Sequence, residues 1–367
     1  MNLRTTDFLL TRFAQGMRPV LKLLGDAETD LLGERLERVA LDRPVFIAGM
    51  ARSGSTILLN LFSSLPNVGT HRYRDFPFVF VPYAWNRFQN HMAHTEAPIE
   101  RPHRDRIRIT KDSADAFEEP LWIHSFPFVH DAAGPHVLKA AKEDVAFDKF
   151  YREHLRKILL VRDKRRYVSK GNYNVSRLEY LGNLFPDARF VVPIRHPLQH
   201  VNSLVGQHRL FTKYSTEDAR VPDYMRAAGH YEFGPQRVPV NLDDTSRRQI
   251  TEAWSQGADA LGYAAMWRSI YAHVDRLRRG TPLGSRIIMV RYEDLCGDPA
   301  AVLRELFNFC ELTEGTDALL GALPEISSPG STLRNLNEAD CAEVWRETCE
   351  VAQSFGYRRA TPARQLA

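Results

Sequence analysis

The 367-residue sequence contains only four cysteines, and none of them lies in a Cys-x-x-Cys pair. Disulfide frameworks and zinc ribbons need closely spaced cysteines, so we expect free thiols and no metal site. No apolar run approaches the roughly 20 residues that cross a bilayer. The first residues also lack an apolar core with a small-residue cleavage site, and the sequence therefore predicts a cytoplasmic protein.

The net charge is also small: the chain has 49 Lys and Arg residues and 45 Asp and Glu residues, which gives a formal net charge of +4. The sequence has no basic stripe with interleaved aromatic residues, which argues against nucleic-acid binding. Hydrophobic residues make up 44% and charged residues 26% of the chain, the composition of a globular rather than a disordered protein. The small positive excess is compatible with an anionic small ligand.

Strand-like and helix-like segments alternate along the chain. Apolar runs predict strands at 45–48, 189–194 and 286–290, with briefer extended pieces at 68–70 and 166–169. Apolar residues at helical spacing predict helices that include 114–122, 200–208 and one long helix over 250–278. This order predicts an α/β fold: a P-loop-like three-layer sandwich in which helices flank a mostly parallel central sheet.

One domain is expected over residues 42–367, with lid or acceptor-side excursions at about 71–125 and 211–250. Residues 1–41 are predicted to be helical and to pack on this domain. An apolar stripe in this segment leaves a contact with a membrane surface open, but packing on the domain is the favoured interpretation. The stripe consists of Phe8, Leu9, Leu10, Phe13, Met17, Leu21 and Leu24.

The most informative stretch follows the first predicted strand and reads Gly49-Met50-Ala51-Arg52-Ser53-Gly54-Ser55-Thr56. It has the frame of a phosphate-binding loop, whose backbone N–H groups and following helix grip phosphate. The lysine that a nucleoside triphosphatase needs is replaced by Ser55, and Arg52 lies inside the loop instead. The sequence therefore predicts an anionic nucleotide other than a hydrolysed triphosphate, against the alternative of a simple tight turn.

A second anchor for phosphate follows the strand at 189–194. Arg195 lies at the carboxyl end of this strand, and Ser203 lies eight residues later in the next predicted helix. An arginine at a strand end and a hydroxyl in the following helix can converge on one phosphate. Either residue alone is more often an ordinary surface residue, but together with the loop at Arg52 they favour a role in phosphate binding.

With these motifs the sequence resembles sulfotransferases that use 3′-phosphoadenosine 5′-phosphosulfate (PAPS). The loop from Arg52 to Thr56 resembles the 5′-phosphosulfate loop of that family, and Arg195 with Ser203 resembles its 3′-phosphate site. Further matching segments are Phe185–Val191, Val290–Leu295 and Asp298-Pro299. Segments 73–78 and 117–122 are most similar to bacterial members of the carbohydrate and tyrosyl-protein group.

The resemblance implies sulfuryl transfer from PAPS, as co-substrate and without a metal, to an acceptor hydroxyl. It implies that Arg52, Ser53, Gly54, Ser55 and Thr56 bind the 5′-phosphosulfate. It likewise implies that Arg195 and Ser203 bind the 3′-phosphate and select PAPS over ATP. Lys170, twenty-five residues before Arg195, matches a catalytic lysine of the tyrosyl-protein enzymes, so Lys170 and Arg52 are the predicted cations near the transferring sulfonate.

The general base is harder to identify. The resemblance places Tyr73 where the tyrosyl-protein enzymes have a glutamate, and we favour Asp75, two residues later, as the base. Burial beside three consecutive apolar residues is expected to raise the pKa of Asp75 toward the working pH. The alternative role of Asp75 is a structural salt bridge to a neighbouring arginine. Other candidates are Glu118, Glu119, His124 and His71.

Two other functions stay open. A P-loop kinase or other phosphotransferase needs a lysine at the Ser55 position and an acidic strand end for Mg²⁺, and the sequence has neither. A catalytically inactive nucleotide-binding protein of the same fold is the second alternative. The intact set of Arg52, Lys170, Arg195 and Ser203 argues against it.

The acceptor is not identified by the sequence. We expect a carbohydrate, a glycolipid or another small molecule, and no nucleic acid, while the oligomeric state is unknown. The basic run 101–108 is suited to an acidic acceptor, although a solvated face is the commoner role of such runs. Aromatic residues that suit a sugar or aryl platform are Tyr83, Trp85, Phe88 and Trp122. In the turn 327–334, Ser331 or Arg334 is a candidate to close over the nucleotide.

Overall fold

The computed structural model describes residues 1, 3–91, 97–139, 144–323, 326 and 332–359. The described strands are β1 (Val45–Ala48), β2 (Val68–Gly69), β3 (Ile99–Glu100), β4 (Arg108–Ile109), β5 (Arg166–Gly171), β6 (Arg189–Ile194) and β7 (Ile287–Arg291). The described α-helices that begin before residue 200 are α1 (Thr5–Gly16), α2 (Arg18–Glu37), α3 (Ser55–Ser63), α4 (Pro82–His91), α5 (Glu119–Ser125), α6 (Val145–Arg162), α7 (Leu178–Leu184) and α8 (Pro197–Glu217). The later helices are α9 (Val221–Ala227), α10 (Asp244–Ser255), α11 (Asp259–Gly280), α12 (Tyr292–Gly297), α13 (Pro299–Phe309), α14 (Thr316–Gly321) and α15 (Glu338–Ser354).

The central sheet has five strands in the order β2-β5-β1-β6-β7, and every neighbouring pair is parallel. The middle strand β1 lies between β5 and β6, with Ile47 level with Lys170 on one side and with Val191 on the other. The chain thus crosses to opposite sides of β1, and ligands of open α/β sheets bind at such a reversal, beyond the carboxyl ends of the strands. A separate hairpin is formed by β3 and β4.

Both faces of the sheet are buried. Alternate residues of β1 pack into two different apolar clusters, Phe46 and Ala48 into one and Val45 and Ile47 into the other. Side chains of successive strand residues point to opposite faces, so each cluster lies between the sheet and one layer of helices. The predicted α/β three-layer sandwich with a mostly parallel sheet is confirmed.

Three helix predictions differ from the structure. The long helix over 250–278 is wrong, because Gly257 has a left-handed φ of 75° and separates α10 from α11. The helix predicted over 114–122 begins only at Glu119, and Ala114 instead pairs with Arg72 in an isolated β-bridge. The helix predicted over 200–208 is longer, and runs as α8 from Pro197 to Glu217.

Both N-terminal helices contact the rest of the chain, since α1 packs against α9 and α2 packs against α6. At this contact the buried Lys157 ammonium of α6 lies 3.2 Å from a carboxylate oxygen of Glu28 and donates a hydrogen bond of 2.8 Å to the carbonyl of Gly25. Several large apolar side chains of α1 and α2 are exposed, among them Leu9, Phe13, Leu23, Leu24 and Leu31. Within the described part of the chain, no helix has both the length and the apolar character needed to cross a bilayer.

Candidate active site

A cavity of about 1030 Å³ lies beyond the carboxyl ends of the central strands. Four strand ends contribute to its lining. The contributing segments are the loop after β1, the end of β5, the residue that follows β6 and the start of α12, which follows β7. Seven of the nine predicted site residues line this cavity: Arg52, Gly54, Ser55, Thr56, Lys170, Arg195 and Ser203. The other two, Ser53 and Asp75, are fully buried elsewhere.

The loop after β1 turns sharply into α3. Gly54 has a left-handed φ of 98°, and a β-carbon built on it would approach Tyr292 Cδ2 to 2.5 Å, so only glycine fits. Helix α3 begins at Ser55 with no side-chain cap, which leaves the N–H groups of its first turn directed toward the cavity. Ser53, in the same loop, is 0% exposed. The loop has the geometry of a phosphate cradle.

Arg52 connects the predicted phosphate subsites. Its Nε lies 3.2 Å from the Ser203 hydroxyl oxygen, and its Nη1 donates a 2.7 Å hydrogen bond to Asp105. Arg195 Nη1 lies 3.4 Å from the Arg52 carbonyl oxygen and so reaches the same loop from β6. Burial lowers the pKa of Arg52, and the Asp105 carboxylate opposes that shift. The three predicted anion-binding side chains therefore share one wall of the cavity.

Lys170 lies at the end of β5 beside a carboxylate that the sequence analysis missed. Its ammonium nitrogen is 3.6 Å from Asp115 Oδ1, and the Tyr73 hydroxyl donates a 2.5 Å hydrogen bond to Asp115 Oδ2. Burial raises the pKa of Asp115, but the charges of Lys170 and Arg101 outweigh burial and hold it below its ordinary value. Burial lowers the pKa of Lys170, against the opposing charge of Asp115. An ionised carboxylate and a buried ammonium thus face the cavity together.

The prediction that burial raises the pKa of Asp75 is wrong. Burial alone acts in that direction, but the hydrogen bond from His71 and the charge of Arg162 outweigh it and lower the pKa. Asp75 is 0% exposed and accepts hydrogen bonds from Arg162, Asn86, His71 and the backbone N–H of Arg72. It does not line the cavity. Its surroundings are those of a structural ion pair, with Arg162 rather than a neighbouring arginine as the partner.

The other candidate bases also lie in structural networks. Glu118 accepts hydrogen bonds from the hydroxyls of two buried tyrosines, Tyr151 and Tyr167. Glu119 pairs with the buried Arg177 and with His130. None of the four candidates Glu118, Glu119, His71 and His124 lines the cavity.

Two further predictions concern the rim and the acceptor platform. Arg334 lines the cavity, whereas Ser331 lies outside the described residues. Trp122 is 0% exposed in the apolar core, and the stacked pair Trp85 and Phe88 lies away from the cavity. None of the four aromatic residues proposed for an acceptor platform, Tyr83, Trp85, Phe88 and Trp122, lines this cavity.

The side of the cavity near Lys170 carries polar residues that the sequence analysis did not single out. Asn172 follows β5 and donates a hydrogen bond to Glu232, which lies 3.6 Å from His230. Burial lowers the pKa of His230, but its interaction with Glu232 outweighs burial and raises the pKa above its ordinary value. His230 and Glu232 come from the stretch between α9 and α10, where the sequence has no periodic pattern that could have indicated them.

The chain matches a known family over more than half of its length. The sequence profile described as "Sulfotransferase family" matches residues 44–241. No curated protein sequence matches the chain.

Similar solved structures include sulfotransferase STF9 from Mycobacterium avium, at 17% identity over 90% of this chain and 81% of that one, with a TM-score of 0.48. Sulfotransferase STF1 from Mycobacterium tuberculosis H37Rv is 16% identical over 89% of this chain and 82% of that one, with a TM-score of 0.46. A sulfotransferase from Alicyclobacillus acidocaldarius is 13% identical over 87% and 98%, with a TM-score of 0.39.

Proposed function

This chain belongs to the sulfotransferase family, and on that premise we propose that it transfers the sulfuryl group of PAPS to an acceptor hydroxyl. The observation that carries this proposal is the convergence of Arg52, Lys170, Arg195 and Ser203 on one cavity at the carboxyl edge of the sheet. These residues come from three strand ends and one helix, and they supply three cations and a hydroxyl to the cavity. A polyanionic nucleotide is the ligand that such a set suits.

The donor would lie across the loop after β1. The N–H groups of the loop and of the first turn of α3 suit the 5′-phosphate, with Ser55 and Thr56 as further donors. Arg195 and Ser203 would hold the 3′-phosphate, which ATP lacks. The absence of a lysine at position 55 removes the group that P-loop nucleotide hydrolases use on the β- and γ-phosphates.

Asp115 replaces Asp75 as the proposed general base. In an in-line transfer the acceptor oxygen forms a bond to sulfur, the bond between sulfur and the 5′-phosphate oxygen breaks, and the hydroxyl proton passes to a base. The proton becomes strongly acidic as the new bond forms, so an ionised carboxylate accepts it even when its own pKa is low. Lys170, 3.6 Å from Asp115, and Arg52 would stabilise the charge on the sulfonate and on the departing phosphate.

Calorimetric binding of adenosine 3′,5′-bisphosphate, the expected product, tests the donor site. We expect metal-independent binding that Arg195→Ala weakens by about tenfold or more, because a charge-assisted contact to phosphate is worth ~1.5–3 kcal/mol. Arg189→Ala is the matched control, since Arg189 begins the same strand at its opposite end. Preference for ATP with Mg²⁺, or equal effects of the two variants, would refute the PAPS site and favour the phosphotransferase.

The base is tested by Asp115→Asn in a transfer assay with labelled PAPS and a panel of hydroxyl acceptors. Loss of a positioned base lowers the rate by about 10²–10⁴-fold, while affinity for the bisphosphate is expected to stay within about twofold, since Asp115 is placed on the acceptor side. Asp148→Asn is the control, because Asp148 also accepts a 2.5 Å hydrogen bond from a tyrosine, Tyr180, but lies outside the cavity. Similar rates for wild type and Asp115→Asn would exclude Asp115 as the base.

The acceptor class, a carbohydrate, glycolipid or other small molecule, stays a prediction, and so does a cytoplasmic location. The polar residues near Lys170, among them Glu232 and Asn172, are consistent with an acceptor that carries hydrogen-bonding groups.

A further inference from the structure

A carboxylate lies over the phosphate-binding loop. Asp105 belongs to the tip of the hairpin formed by β3 and β4, and its Oδ2 accepts a 2.7 Å hydrogen bond from Arg52 Nη1. Arg101, four residues earlier, donates from Nε to both Asp105 oxygens at 2.9 Å and 3.1 Å. Arg52 in the loop and Arg101 in the hairpin thus share the Asp105 carboxylate, and both arginines line the cavity.

Arg101 also reaches the loop itself. Its Nη1 lies 3.4 Å from the Thr56 hydroxyl oxygen, and its side chain is only 6% exposed. On its other side its charge acts on Asp115, whose pKa it helps to lower together with Lys170. Arg101 thus lines the same cavity as the loop proposed for the 5′-phosphosulfate and as Asp115, the carboxylate proposed as the base. Under the proposed function, the sulfonate is transferred within this cavity.

The hairpin tip that carries Arg101 has contacts that do not involve Asp105. The hairpin tip is fastened to α8 by two hydrogen bonds between His103 and Gln207, at 2.8 Å and 2.9 Å. A third hydrogen bond of 3.2 Å runs from the Tyr214 hydroxyl to the carbonyl of Pro102. These contacts are neutral and lie outside the ion cluster, so they hold the tip in place when Asp105 changes its partners.

We propose that Arg101 acts on the sulfonate as a third cation beside Arg52 and Lys170, and that the Asp105 carboxylate stands in for the anionic end of the donor until the donor displaces it. A carboxylate and a sulfonate offer an arginine fork the same pair of oxygen acceptors, so one can replace the other on Arg52 and Arg101. This inference rests on the proposed PAPS-dependent function and assigns two residues that its donor site did not include.

Calorimetric titration with PAPS and with adenosine 3′,5′-bisphosphate, which lacks the sulfonate, tests the inference without an acceptor. Asp105→Asn removes the competing charge and is expected to tighten PAPS binding by about three- to tenfold, the range for a partly buried ion pair. Arg101→Gln is expected to weaken PAPS binding by about tenfold or more, as for loss of a charge-assisted contact, and to leave the bisphosphate within about threefold. The ratio of the two affinities thus shifts in opposite directions in the two variants.

Matched controls come from the same excursion. Arg108→Gln alters the hairpin outside the cavity, and Asp112→Asn removes an exposed carboxylate that pairs with Arg72 and Arg74, so neither is expected to change the ratio. If Asp105→Asn weakens PAPS binding, or if Arg101→Gln affects both nucleotides equally, the inference is wrong while the donor site stands. Failure of the wild type to bind either nucleotide would overturn the inference together with the proposed function.

Discussion

Replacing Asp75 with asparagine should destabilise the protein without removing its nucleotide site. Each carboxylate oxygen of Asp75 accepts two hydrogen bonds: Oδ1 from Asn86 at 2.7 Å and Arg162 at 2.5 Å, and Oδ2 from the Arg72 N–H at 2.9 Å and His71 at 3.1 Å. An amide nitrogen in either place would meet two N–H donors. The variant therefore leaves two buried donors unsatisfied, at ~1–3 kcal/mol each, and Arg162, 4% exposed, without its counter-charge.

These losses overlap, so we expect the free energy of unfolding to fall by ~3–5 kcal/mol, the range for a buried ion pair that loses one partner. Urea unfolding followed by tryptophan fluorescence measures the change. Asp112→Asn is the control, because Asp112 also contacts two arginines but is 53% exposed, and its loss should cost below about 1 kcal/mol. Titration with the bisphosphate below the unfolding transition should give the wild-type affinity.

The pH dependence has a definite sign. The pKa of Asp75 is lowered in the folded state, so its stabilisation is present above the ordinary aspartate pKa of about 3.9 and is lost as the pH falls through the folded value. The stability gap between wild type and Asp75→Asn should therefore be constant from about pH 7 to 5 and shrink below about pH 4. A gap below about 1 kcal/mol at neutral pH, together with abolished sulfuryl transfer, would refute the structural role and restore Asp75 as a catalytic candidate.

Three further outcomes follow from the same contacts. Gly54→Ala should abolish bisphosphate binding measured by calorimetry. Gly257→Ala is the control, because Gly257 also has a positive φ but no atom lies within 4 Å of the new methyl, and it should lose only ~1 kcal/mol of stability. Equal bisphosphate binding by both variants would contradict the proposed role of the Gly54 loop in phosphate binding. The Cys310 thiol is fully buried, and burial raises its pKa to about 12, so it should not react with 5,5′-dithiobis(2-nitrobenzoic acid) until denaturant is added. Labelled Cys310 in the mass spectrum of the native protein would contradict this prediction. Tyr73→Phe removes a hydrogen-bond donor from Asp115 and should raise the pKa of that carboxylate, so that the acid limb of the transfer rate moves to higher pH; an unmoved limb would argue against Asp115 as the titrating base.

The sheet and the sharp turn after β1 could be predicted from the sequence because their signals are local. The loop from Gly49 to Thr56 is contiguous and follows a strand of four apolar residues, so strand, turn and helix can be read in one pass. The same holds for Arg195 and Ser203, because Arg195 directly follows β6 and Ser203 lies in the first two turns of the next helix, α8. The break at Gly257 escaped prediction, because apolar residues at helical spacing continue on both sides of it.

The acidic residues show the opposite case. Asp75 and Asp115 both lie in the excursion at about 71–125, and nothing local separates a structural carboxylate from one that faces a cavity. Their roles depend on distant partners, since Arg162 is 87 residues from Asp75 and Lys170 comes from another strand. The sign of the pKa shift of Asp75 was therefore predicted wrongly, although its burial was predicted correctly.

The sequence by itself thus determined the α/β order, the sharp turn after β1 and the placement of basic residues near the strand ends, because each of these depends on a few consecutive residues and on where parallel strands end. Only the tertiary structure decided that Asp115 faces Lys170, that Arg101 and Asp105 lie over the loop, and that Asp75 belongs to a buried ion pair. The reason is that the charge state and role of a side chain follow from every group within a few ångströms, and in a folded chain most of those groups are far away in sequence.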